Sequence, residues 1–204
     1  MIIAGAGGHA LEIKEELEKL RPGMEFRFFD DAGYQSNSPL KSFPLLQDLK
    51  LTKLSFDQNP QFALGVGKPD FREKFITSFE QIGGDYVPVH SSTAEVSVSA
   101  SGLFDAMPFS FIGPNTKFGK GVLVNTRANV HHEAQIGEFT EIGPGALILG
   151  QVRMGRKCRI GAGAVLLPGV QLGDEVVVGA GAVVTKNMKS NQTIVGIPAL
   201  PLLK

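Results

Sequence analysis

Two short runs of the 204-residue chain hold residue types suited to chemistry, and both hold them at a telling spacing. His131-His132-Glu133 sets two imidazoles beside a carboxylate. A histidine titrates near neutrality and can take a proton from an attacking group, while a neighbouring carboxylate fixes its tautomer and supports the imidazolium. Gly5-Ala6-Gly7-Gly8-His9-Ala10 follows G-x-G-x-x-A, the pattern in which backbone N–H groups and a helix N-terminus hold a phosphate or pyrophosphate. His9 stands just beyond the glycines, within reach of a bound diphosphate or sugar. Asp30 and Asp31 follow at about the ~20-residue distance at which a carboxylate reads a ribose hydroxyl.

The elements that position these runs differ between the two parts of the chain. From Ile112 every sixth residue is apolar without exception: Ile112, Phe118, Val124, Val130, Ile136, Ile142, Ile148, Met154, Ile160, Leu166, Leu172, Val178. Four residues after each comes another small or apolar residue, and glycine usually follows the apolar one directly. A period of six fits neither a helix nor an alternating strand, but it fits a hexapeptide β-helix, with three hexads to a triangular coil of 18 residues. Glycines directly after the apolar positions are expected to relieve backbone strain at the corners. Residues 1–88 instead alternate strand and helix: strands at Met1 to Ala4, Phe26 to Phe29, Phe62 to Val66 and Asp85 to Val87, helices at Ala10 to Leu20 and Asp70 to Ile82. That is a small Rossmann-like α/β domain with a parallel sheet. The segment Asn37 to Asp57 is mixed and fits no element cleanly. Residues 89–204 form the β-helix domain, from which Val195 to Ala199 is expected to leave as a short tail.

Stacking by 18 places Gly150 over His132. Its N–H, unshielded by a side chain, can donate to a developing oxyanion. The corner column Gly113, His131, Leu149, Leu167 carries bulky residues where the other corners carry mostly glycine, so a second copy of the chain is expected to cover it. By phase Val130 points inward and His131 sits at the corner, so His132 is favoured as base and His131 remains the alternative. Glu141 and Arg159, also 18 apart, form a ladder pair on the surface.

The glycine-rich start, Phe29-Asp30-Asp31, Val124-Asn125-Thr126 and His132-Glu133-Ala134-Gln135-Ile136-Gly137 together resemble the NeuD/PglD family of sugar O- and N-acyltransferases. The resemblance implies a left-handed β-helix and an acetyl-CoA-dependent transfer to an amino or hydroxyl group of a nucleotide-linked sugar, a uridine-diphospho-sugar, for surface glycan biosynthesis. It implies His132 as base, Glu133 as its orienting carboxylate and Gly150 as donor to the acetyl carbonyl. Ala162 and Ala180, continuing the small-residue column from Pro144, would line a groove for the pantetheine arm of coenzyme A. Gly7, Gly8, His9, Asp30 and Asp31 would bind the nucleotide-sugar, and the enzyme would be a homotrimer with each site between two subunits. Some relatives carry a second histidine where this chain has Glu141, so that role does not transfer.

Composition excludes several other classes. With 20 basic against 20 acidic residues and no strongly basic segment, the chain lacks the charge of a nucleic-acid binder. The single cysteine, Cys158, rules out an internal disulfide and a multi-cysteine zinc site, and no metal is expected. No secretory signal or long apolar run is present, so no membrane partner is expected and the chain reads as cytoplasmic. The reading from a different class is a nucleotide-sugar- or dinucleotide-binding regulatory or assembly protein, in which the β-helix serves only as a trimer scaffold.

Overall fold

The computed structural model describes residues 1–34 and 37–202. The chain forms two compact units, Met1–Val89 and His90–Lys204. In the first, strands β1 (Ile2–Ala4), β2 (Arg27–Phe29), β3 (Leu45–Leu46), β4 (Gln61–Leu64) and β5 (Asp85–Tyr86) pair in parallel in the order β3-β2-β1-β4-β5. Helix α1 (Gly8–Leu20) buries Ala10, Ile13 and Leu17, one stripe at helical spacing. Helix α3 (Pro69–Gln81) buries Phe75, Ile76 and Phe79. Phe79 meets Phe29 and Phe62 edge to face, with ring centroids 5.0 and 5.1 Å apart. The mixed segment resolves into a 3-10 turn at Pro39–Ser42, the two-residue β3, and α2 (Leu49–Phe56), which Asp48 caps by accepting from Lys50 N–H.

The second unit is a left-handed parallel β-helix with three faces of seven, six and four strands. Registers advance by 18: Val130 pairs with Ile148, Ile148 with Leu166, and Leu166 with Val184. The apolar hexad residues and the small ones four positions later fill the prism and are almost fully buried. The tight bend of each hexad is a single left-handed residue. Phe109, Asn115, Gly121, Arg127, Glu133, Phe139, Gly145, Gln151, Lys157, Gly163, Gly169, Glu175 and Gly181 follow one another at intervals of six, with φ between 55° and 73°.

Two expectations are corrected here. The glycines directly after the inward residues do not supply the left-handed bend, which lies two positions further on. They are required by stacking: a Cβ on Gly137 would come within 2.4 Å of Gly155 carbonyl carbon, and one on Gly161 within 2.5 Å of Ala180 nitrogen. The tail also stays on the prism. Ala199 is buried, its N–H donates to Val183 O at 2.7 Å, and Leu200–Pro201 pairs antiparallel with Thr193–Val195. An uncapped last coil would open the apolar interior to water, and the returning tail closes it.

Cys158 is one of the inward small residues; its Sγ lies 3.1 Å from Gly173 O, and burial pushes the thiol up to about 11. An Ellman assay at pH 8 is therefore expected to detect no thiol in the native protein and one per chain in denaturant; rapid labelling without denaturant would contradict the closed prism.

Candidate functional site

At one corner of the prism the chain runs His131, His132, Glu133, with Glu133 as the left-handed residue. His132 and Glu133 are both about half exposed, and His132 Nδ1 lies 3.1 Å from Glu133 Oε2. The carboxylate accepts from Nδ1–H, which leaves Nε2 as the free basic nitrogen. Gln151 Nε2 donates to the same Glu133 Oε2 at 3.1 Å. These two hydrogen bonds, that from Gln151 first, hold the Glu133 carboxyl below its ordinary range, so it stays ionised at neutral pH. Sequence reasoning missed Gln151, although the spacing of 18 from Glu133 signals it. His131 turns differently: it is half-buried, and its ring lies 5.6 Å from that of Phe111.

Gly150 stands in the coil next to His132, and the ring occupies the space its side chain would take. A Cβ there would lie 2.5 Å from both Cε1 and Nε2 of His132. The neighbouring amides are spent, Leu149 N–H on Leu166 O and Gln151 N–H on His132 O, whereas Gly150 N–H has no acceptor among the described residues. At several equivalent positions after a corner the N–H is spent on a side chain or absent, whereas Ala162 and Ala180, like Gly150, keep theirs unspent among the described residues. Asn125 Oδ1 accepts from Thr126 N–H, Asp174 Oδ1 from Arg156 N–H and Ser190 Oγ from Asp174 N–H, while Pro114, Pro144 and Pro168 carry no N–H. An unspent donor and a basic nitrogen thus lie side by side.

Ala162 and Ala180 share an open groove of about 390 Å³ with Pro144, Gly143, Gly161 and the Glu141–Arg159 pair, joined Nε to Oε2 at 2.9 Å. Their N–H groups likewise have no acceptor among the described residues. Pro144 and Gly150 are one hexad apart, on neighbouring corners flanking the six-stranded face, with roughly 13 Å of strand between them. The groove and His132 of one subunit therefore lie on neighbouring corners. The face between them carries Phe111, Leu147, Val165 and Val183 outward, all exposed or half-exposed, with Leu149 and Leu167 half-buried along its edge.

In the first unit, Gly7 and Gly8 line an open pocket of about 330 Å³ with Ala6, Leu11, Asn37 and Ser38. A Cβ on either glycine would meet nothing within 4 Å, so internal packing does not require them to be bare. The N–H groups of Gly7, Gly8 and His9 have no acceptor among the described residues, and α1 starts there with its positive end open. The other predicted residues lie outside this lining. Asp30 is turned onto the backbone, accepting from Ala6 N–H at 3.1 Å and Ala32 N–H at 3.0 Å, and so buttresses the glycine turn. Asp31 pairs with Lys74 Nζ at 2.7 Å, which lowers its carboxyl. His9 Nδ1 lies 2.9 Å from Glu12 Oε2, and its Nε2 is buried with no hydrogen-bond partner among the described residues. Among the described residues no cluster of His, Cys, Asp or Glu is arranged to hold a metal ion, and no helix is long and apolar enough to cross a membrane.

Comparison with known proteins identifies the class: this is a hexapeptide-repeat acyltransferase. Residues 1–79 match the PglD N-terminal domain and residues 151–186 the hexapeptide repeat of succinyl-transferase. A histidine-to-alanine variant of GDP-perosamine N-acetyl transferase from Caulobacter crescentus, in complex with CoA and GDP-perosamine, superposes with a TM-score of 0.92 at 25% identity, covering 100% of this chain and 96% of that one. The acetyltransferase domain of PglB from Neisseria gonorrhoeae FA1090, in complex with acetyl coenzyme A, gives 0.87 at 29% identity over 98% of each chain. WeeI from Acinetobacter baumannii AYE gives 0.78 at 26% identity, again over 98% of each. The chain thus resembles the NeuD/PglD-type family over both units, and it is a sugar acetyltransferase.

Gly150→Ala tests this juxtaposition directly. The added methyl collides only with a side chain that can swing, so the fold should survive with an unchanged melting midpoint. The His132 ring resonances should move and turnover should fall by about tenfold or more, the weight of one misplaced catalytic group. Unchanged ring resonances would show that the imidazole does not rest on Gly150.

Proposed function

We propose that this enzyme transfers the acetyl group of acetyl-CoA directly to an amino group on a sugar carried by a nucleoside diphosphate, with His132 as general base. The observation that carries this reading is the juxtaposition of His132 Nε2 and the unspent Gly150 N–H, together with a carboxylate-held Nδ1. As the acceptor nitrogen attacks the thioester carbonyl carbon, Nε2 takes its proton, and Glu133 supports the imidazolium that forms. The carbonyl oxygen becomes an oxyanion and receives Gly150 N–H. The C–S bond then breaks, and the imidazolium returns the proton to the departing thiolate. The only cysteine faces the prism interior, which favours direct transfer over an acyl-enzyme.

The donor fits the groove at Pro144, Ala162 and Ala180, where the free N–H groups of Ala162 and Ala180 suit the amide carbonyls of a pantetheine arm. Because that groove lies one corner away from His132, the arrangement calls for a homotrimer in which one subunit's groove meets its neighbour's His132. The apolar face of Phe111, Leu147, Val165 and Val183 is the surface for that contact. The open glycine turn at Gly7 and Gly8 suits the diphosphate of the acceptor. Family resemblance favours a uridine nucleotide, whereas the Caulobacter relative was captured with a GDP-sugar.

Wild-type protein mixed with acetyl-CoA and UDP- or GDP-linked 4-amino sugars should release free CoA with at least one of them. His132→Ala should lower that rate by ~10²- to 10⁴-fold with acetyl-CoA affinity unchanged. An intact rate in His132→Ala, together with loss in His131→Ala, would move the base to His131. Absence of CoA release and of any thermal shift across the whole panel would overturn the reading. Light scattering is expected to give three times the 21.8 kDa subunit. A stable monomer at micromolar concentration would remove the shared site.

A further inference from the structure

Glu133 and Gln151 occupy the same bend of consecutive coils, both left-handed, with φ of 59° and 62°. Their side chains therefore leave the prism side by side, separated by the inter-strand spacing of about 4.8 Å. Gln151 N–H donates to His132 O at 2.9 Å, so the Gln151 backbone is tied to the residue that carries the imidazole. Its side-chain amide then reaches across to Glu133 Oε2 at 3.1 Å, the oxygen that faces His132 Nδ1. In the next coil the same bend is Gly169, which has no side chain to draw the amide away.

We propose that Gln151 is a positioning residue: it pins the Glu133 carboxylate in the rotamer that selects the Nδ1–H tautomer of His132. The proposal rests on His132 acting as base. An exposed glutamate beside an exposed histidine is otherwise free to rotate, and such a pair contributes little. A second donor on the same oxygen restricts that freedom and keeps the acceptor opposite Nδ1. The lowered Glu133 carboxyl, whose largest cause is the Gln151 hydrogen bond, accords with this.

The test compares Gln151→Met, which keeps the length and removes the donor, with Gln151→Lys, which restores a donor of similar reach. Nitrogen-15 histidine spectra of the whole protein report the tautomer, with the His132 signals identified by their loss in His132→Ala. In Gln151→Met the ratio of Nδ1–H to Nε2–H tautomer should fall about two- to tenfold, the factor one ordinary hydrogen bond supplies. With acetyl-CoA and the 4-amino sugar nucleotide that turns over, kcat should fall by a similar factor while KM for acetyl-CoA holds. Gln151→Lys should restore both. A wild-type tautomer ratio in Gln151→Met, or a fall that lysine does not reverse, overturns the proposal. Wild-type turnover in His132→Ala would instead overturn the base assignment, a failure distinguishable because the tautomer ratio is read without turnover.

Discussion

The structure of the second unit depends on one repeated contact, the backbone ladder between coils 18 residues apart. It holds successive coils at the inter-strand spacing, so any side chain is brought beside the one 18 positions away. Gly150 meets His132, and Gln151 meets Glu133, without a loop or a helix to place them. The same closeness decides composition, since Gly137 and Gly161 are bare to admit the backbone of the next coil. Precision at the corner is thus a by-product of what stabilises the prism.

That ladder explains why the second unit was so legible in the sequence. The inward series from Ile112 fixed the phase, and the phase alone set His132 and His131 on different columns, His132 beside Gly150 and His131 toward Phe111. Two things were not visible. Glycine is common both at left-handed bends and at points of close approach, so its frequency could not say which position was which, and residues such as Phe139 and Lys157 hold the bend unaided. Gln151 carries no chemistry by its type and gains significance only through its neighbour 18 residues earlier.

The first unit was less transparent for a physical reason. Its short strands are set by pairing, not by local pattern: Leu45–Leu46 is two residues long and owes its state to Phe28 and Phe29 alongside. Asp30 shows the related limit on site residues. Its spacing suits a ribose contact, yet its carboxylate is engaged by the backbone N–H groups of Ala6 and Ala32. Gly7 and Gly8 show the converse, since nothing in the protein's own packing requires a glycine at either position. What the unit leaves open is the N-terminal end of α1 and the pocket beside it.

The unbroken run of left-handed bends at intervals of six has a consequence for how such a chain can change over time. Adding or deleting one residue within a strand would rotate every later side chain out of phase, turning the interior outward and separating each stacked pair. The length of the prism is in this sense quantised. It can lengthen by whole coils, which preserve every column, or by loops that leave and re-enter at a single bend. Substitution can tune the exposed surface one residue at a time, but the spacing between His132, Gly150 and Glu133 is inherited as a block.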